Sequence, residues 1–155
     1  MKNFLILLII AIQLNSSDIK TELLKEIKMC ASVTTLKEKS IFEKFDFYDP
    51  LAFATTKNNL TIGNVQFNRR FQLHFLYGKL SSLHITTTAD NFKDVKNTLE
   101  QNYNKKFTFI KSSNKEKMCD YYKLNNNDVE LQLTYACGSK NSMSLTVIKH
   151  CKKEF

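Results

Sequence analysis

Three histidines and four cysteines hold most of the chemical capacity of this 155-residue chain. His74 and His84 fall in two adjacent segments with β-type alternation, so a hairpin would bring their imidazoles together on its solvent side. Two cross-strand imidazoles are the beginning of a metal site. A third ligand is not evident, so no metal and no other cofactor is assigned; a solvated histidine pair is the simpler reading. His150 stands beside Cys151, which on paper offers a base and a nucleophile. Neighbouring residues of a strand point to opposite faces, however, and that keeps the two side chains apart.

Acid–base chemistry by paired carboxylates needs convergence in a cleft. Asp90 and Asp94 are accounted for by the start of a helix, through capping and a favourable first turn. Asp46 and Asp49 are accounted for by a loop. The chain has no Gly-rich phosphate loop, no GxSxG and no HExxH. A non-enzymatic protein is therefore expected, with a hydrolase of unrecognised site as the remote alternative.

Cys30, Cys119, Cys137 and Cys151 fit no zinc-knuckle spacing. An even count in an exported chain implies two disulfides, with three connectivities open. The preferred pairing joins Cys30 to one of the three carboxy-terminal cysteines, which would pin the amino-terminal helix to the sheet and leave the other two to meet. Four buried free thiols are the competing arrangement.

Charge is the remaining signal. The formal net charge is +8, spread over Arg69-Arg70, Lys105-Lys106, Lys115 to Lys117, and Lys149, Lys152 and Lys153. Arg69, Arg70, Lys149, Lys152 and Lys153 are the candidates for a binding surface. Such a surface favours acidic proteins, anionic lipid or polysaccharide, in a salt-sensitive way. A solvated cationic surface with no specific partner is the bland counterpart.

The elements that must position these groups begin with a targeting signal. Lys2 precedes a nine-residue apolar run from Phe4 to Ile12, followed by Gln13 and small Asn15-Ser16-Ser17. This is the pattern of a secretory signal peptide over residues 1–17, too short to span a bilayer, with an uncleaved anchor as the alternative. Residues 18–155 then form one domain, exported to the periplasm or secreted, which argues against nucleic-acid work. In a eukaryotic cell Asn59-Leu60-Thr61 would also be a glycosylation sequon.

The domain is organised around Phe71 to Asn104. Phe71, Leu73, Phe75 and Tyr77 alternate with polar residues, Gly78-Lys79 supplies a tight turn, and Leu80 to Thr87 returns. Thr88, Asp90 and Asn91 suit a helix start. Phe92, Val95, Leu99 and Tyr103 share one helical face, and Asn104 suits a left-handed cap. The face should lie on Phe71, Leu73, Phe75 and Leu83. Upstream, Asp18 to Ala31 reads as a helix, and Val33 to Asp49 as a short helix or a strand opening at Phe45. Leu51 to Thr56 and Leu60 to Phe67 read as strands, the second with a bulge at Gly63-Asn64. Downstream come strands at Lys106 to Lys111, Met118 to Leu124, Val129 to Cys137 and Met143 to Cys151. Helices on one face of a largely antiparallel sheet give an α+β two-layer sandwich.

Phe75-Leu76-Tyr77-Gly78-Lys79-Leu80, then Leu83-x-Ile85, then the Phe92 to Tyr103 helix resembles a pattern in small exported bacterial proteins, some of them envelope lipoproteins. It covers about a third of the mature chain. Asn102-Tyr103-Asn104 stands where those proteins have Lys-Tyr-Gly, and the Trp that often follows is missing. The resemblance implies export and an α+β fold, and it brings no common activity. The expected function is a protein-binding module, in its sharper form an inhibitor or immunity-type protein of the cell envelope. A cationic binder of envelope lipid or polysaccharide is the alternative.

Overall fold

A computed structural model describes residues 27–112, 119–135, 137 and 140–151. The expected signal peptide, residues 18–26 of the expected first helix, most of the loop after Ser112, and Lys152 and Lys153 lie outside them.

The fold is α+β and mostly sheet. Its elements are α1 (Val33–Lys37), β1 (Phe42–Tyr48), β2 (Leu51–Thr56), β3 (Leu60–Ile62), β4 (Val65–Phe67), β5 (Arg70–Leu76) and β6 (Lys79–Thr88). A 3-10 turn (Ala89–Asn91) leads into α2 (Phe92–Tyr103), followed by β7 (Thr108–Ile110), β8 (Tyr121–Asn126), β9 (Val129–Tyr135) and β10 (Ser142–Lys149). Eight strands form one sheet in the order β1-β2-β5-β6-β10-β9-β8-β7, and β3-β4 form a separate hairpin. All the pairings are antiparallel. The sheet is two four-stranded meanders, each preceded by a helix, joined where β6 and β10 pair about Ile85 and Leu145.

One face of the sheet is the core. Leu73, Leu83, Ile85, Leu131, Leu133, Leu145 and Val147 have no exposed surface, each worth about 1.5–3 kcal/mol of burial. β2 contributes Ala52 and Ala54, both fully buried, and Thr56 to this face. Those small side chains leave room for rings from the flanking strands to meet above them. Phe47 of β1 stands edge-on to Phe75 of β5 at 5.5 Å, and Phe42 lies 6.2 Å from Phe71.

Helix α2 buries Val95, Leu99 and Tyr103 as the spacing requires, and Asn104 ends it in the left-handed conformation (φ 50°). Its amino end differs from expectation. Neither Thr88 nor Asn91 makes a side-chain cap bond; Asn91 instead donates to the hydroxyls of Thr87 and Thr88, 3.0 Å from each. Phe92 packs on Tyr122 and Tyr135 of the second meander.

Four local expectations are corrected. The helix expected to reach Ala31 is a turn from Met29 to Cys30, with Cys30 at φ 67°. There Cys30 N–H donates to Leu80 O at 2.8 Å and Ala31 O accepts from Leu80 N–H at 2.9 Å, so β6 takes the groups a helix would use. The turn of the main hairpin is Tyr77-Gly78, one residue early, with both at positive φ as a two-residue primed turn demands. Tyr77 is consequently exposed. Gly63-Asn64 is a full reversal between β3 and β4 rather than a bulge. Finally, β1 starts at Phe42, three residues before the strand expected at Phe45.

Candidate functional site

Helix α2 and the β3-β4 hairpin cover one face of the sheet: Thr87 Oγ1, on that face, donates to Gln66 O of β4 at 2.8 Å. The other face carries a row of side chains across every strand. In register it reads Asp46, Phe53, Gln72, His84, Thr146, Gln132, Lys123, Thr108. A second row reads Tyr48, Leu51, His74, Ser82, Ile148, Glu130, Asn125. Between β5 and β9 these residues are half-buried, which is the accessibility of a central strand with an open face.

The rows are graded. At the β1 side, Tyr48, exposed like Leu76, lies 6.5 Å from the Phe53 ring, and the Arg70 guanidinium sits 5.6 Å over that same ring. This is a cation–π contact. The centre, on β5, β6 and β10, has no Asp, Glu, Lys or Arg on this face: Gln72, His74, Ser82, His84, Ser144, Thr146 and Ile148, with Gln132 and Thr134 of β9 alongside. The β8 side ends in a Lys123–Glu130 pair at 2.5 Å. That contact holds Glu130 below the usual carboxylate range, against its burial, and raises Lys123.

His74 and His84, the pair singled out by sequence, are brought together. They are diagonal neighbours, since His74 pairs with Ser82 and His84 with Gln72, and all four line one shallow pocket of about 200 Å³. His84 Nδ1 lies 2.9 Å from Thr146 Oγ1, and burial pushes its imidazole below the ordinary value. Among the described residues no third His, Cys, Asp or Glu joins them.

The cysteines pair as Cys30–Cys151 and Cys119–Cys137. The first ties the start of the described chain to the end of β10; the second closes the open end of the β8-β9 hairpin. This removes Cys151 from any partnership with His150.

The described basic candidates are not one patch. Arg69 donates to Thr56 O at 2.8 Å and pairs with Glu43. Lys149 pairs with Asp128 at 3.1 Å and pulls that carboxyl down. By register, Arg70 and Lys149 lie on opposite sides of the Gln72–His84–Thr146 row, about five residues or roughly 17 Å apart along the strands. Sequence reasoning missed the aromatic and aliphatic flank of Tyr48, Phe53 and Leu76. Alternation sets Leu51 and Phe53 on one face of β2 and Ala52 and Ala54 on the other, but nothing in the sequence says that the alanines are the buried set.

The chain matches no family model, no curated protein and no solved structure. The resemblance to small exported bacterial proteins is therefore one of pattern alone.

Proposed function

We propose that this chain is an exported, non-enzymatic module that binds another protein through the open face of its sheet. The single supporting observation is the composition of that face: an aromatic and aliphatic flank with a stacked arginine, beside a centre on β5, β6 and β10 without Asp, Glu, Lys or Arg. Protein interfaces are depleted of charge at their core and enriched in Tyr, Phe and Arg. Two disulfides fit an oxidising extracellular or periplasmic location, and the apolar run at residues 4–12 supports secretion or delivery to the periplasm. An inhibitor or immunity-type role at the cell envelope is the sharper form of this reading. The edges support pairing less well. β1 is interrupted by a bulge between Phe42 and Lys44 and carries Glu43, Lys44 and Asp46, while β7 has three residues; charge, bulges and brevity are how sheets block edge pairing.

The experiment is affinity capture by the oxidised mature protein from its native extracytoplasmic fraction, at low and moderate salt. One stoichiometric protein that survives moderate salt is expected. Tyr48→Glu and Leu76→Glu should each weaken its binding by at least about tenfold, while Phe109→Glu on edge strand β7 should not. Full retention in both face variants would overturn the reading. Capture of only lipid or polysaccharide, released by salt, would replace it with the cationic-surface alternative.

A further inference from the structure

We infer that His74 and His84 are the protein ligands of a site for a divalent transition-metal ion of the imidazole-preferring class, with copper(II) the strongest binder. The inference is independent of the docking reading. It starts at Ser81, the extra residue of the β-bulge where His74 pairs with Ser82 and Phe75 with Leu80. Ser81 is buried and its hydroxyl donates to His74 O at 3.0 Å. A serine hydroxyl has one proton. With that proton given to the carbonyl, Ser81 Oγ can only accept from His74 Nδ1, which lies 3.3 Å away. His74 is thereby fixed as the Nδ1–H tautomer, and its Nε2 carries the free lone pair.

This is the arrangement that metal-binding histidines use: one ring nitrogen hydrogen-bonded to a fixed partner, the other left for the ion. His84 has the same layout: Nδ1 lies 2.9 Å from the Thr146 hydroxyl, and when Nδ1 donates to it Nε2 is left for the ion, with no protein partner on Nε2 among the described residues. Both rings line the same shallow pocket, where Gln72 and Ser82 add neutral oxygen donors. Two imidazoles with oxygen and water suit copper(II), which tops the divalent series for such donors. The disulfides leave no free thiol among the described residues to compete. Nearby charges are already matched: Asp46 faces Lys44 at 2.9 Å and Glu130 faces Lys123.

The test is titration of the mature, disulfide-bonded protein with copper(II) alone, followed by calorimetry and by electron paramagnetic resonance. The expected result is one ion per chain, with hyperfine coupling to two nitrogens. His74→Gln and His84→Gln should each weaken binding by at least about tenfold and leave one coupled nitrogen. Ser81→Ala should weaken it by about 10–100-fold while two nitrogens remain coupled, as expected of a positioning residue. His150→Gln, the remaining histidine of the chain, should change neither readout. Circular dichroism of each variant separates a lost ligand from a lost fold. Binding that survives both histidine variants, or that depends on His150, would overturn the inference. So would a native spectrum with one coupled nitrogen.

Discussion

Glu100 is the side chain where most physical chemistry is concentrated. It is 6% exposed, yet charged. Its carboxylate accepts from Lys96 Nζ at 2.8 Å, Lys106 Nζ at 3.0 Å and the Phe107 backbone N–H at 2.9 Å. The Lys96 hydrogen bond is the largest influence, and together these donors hold the group down at about 2, from an ordinary 4.5, against the opposing effect of burial. A carboxylate depressed on folding stabilises the protein above its unfolded value and loses that contribution as the pH falls through its folded one. The contribution is therefore complete above about pH 4.5 and fades towards pH 2. Glu100→Gln should cost about 1–3 kcal/mol at pH 7, and the gap to the native protein should close near pH 2; urea unfolding at the two pH values measures both. The sequence gives little sign of this. Lys96 and Glu100 are a visible i, i+4 pair, but the reach of Lys106 and the Phe107 amide depends on the left-handed exit at Asn104. The histidine pair was more legible, because strand alternation alone set both rings on one face. Their tautomer was not, since it hangs on a bulge that pairing reveals and spacing does not.

At the scale of elements, the docking of hairpin β3-β4 against α2 turns on Gly63. Gly63 has φ +58°, and a Cβ there would stand 3.1 Å from Thr98 Oγ1 of the helix. Gly63→Ala should therefore lower stability by about 1–2 kcal/mol through the left-handed backbone alone, with the helix contact adding to it. Gly63→Ala with Thr98→Ala should recover only the contact part, and thermal unfolding of the three variants distinguishes the two causes. This hairpin also shows where pattern reading stops. Leu60, Ile62, Val65 and Phe67 are all buried, and a single strand with a bulge explains that alternation as well as two strands and a turn do. By contrast, β9, β10 and α2 were legible because many residues agree on one period and sharp signals, such as Asn125 to Asp128 and Asn104, mark their ends. The tail of the first expected helix failed for the opposite reason. Its local pattern is helical through Cys30, but the backbone partners at Leu80 are fifty residues away in sequence.

For the whole molecule, the two meanders explain a feature that the linear sequence hides. The β3-β4 hairpin separates β2 from β5 in the first half, whereas β8 and β9 are joined by a tight turn in the second, so matching strands do not recur at a constant interval. The cross-links act on this architecture unequally. Cys30 and Cys151 are 121 residues apart in sequence and Cys119 and Cys137 only 18. Closing the longer loop removes more freedom from the unfolded chain. Replacing Cys30 and Cys151 together by Ser should cost about 4–5 kcal/mol, and replacing Cys119 and Cys137 about 3; urea unfolding of the two double variants should rank them in that order. The long cross-link has a mechanical consequence as well. It makes the whole sheet a branch off the load path: tension applied before Cys30 and beyond Cys151 passes through one covalent sulfur–sulfur bond, and no strand between them is stretched. Pulled from its ends, the oxidised protein should lengthen only by its flanking segments, and the sheet would yield to force only after a reductant had opened the ring.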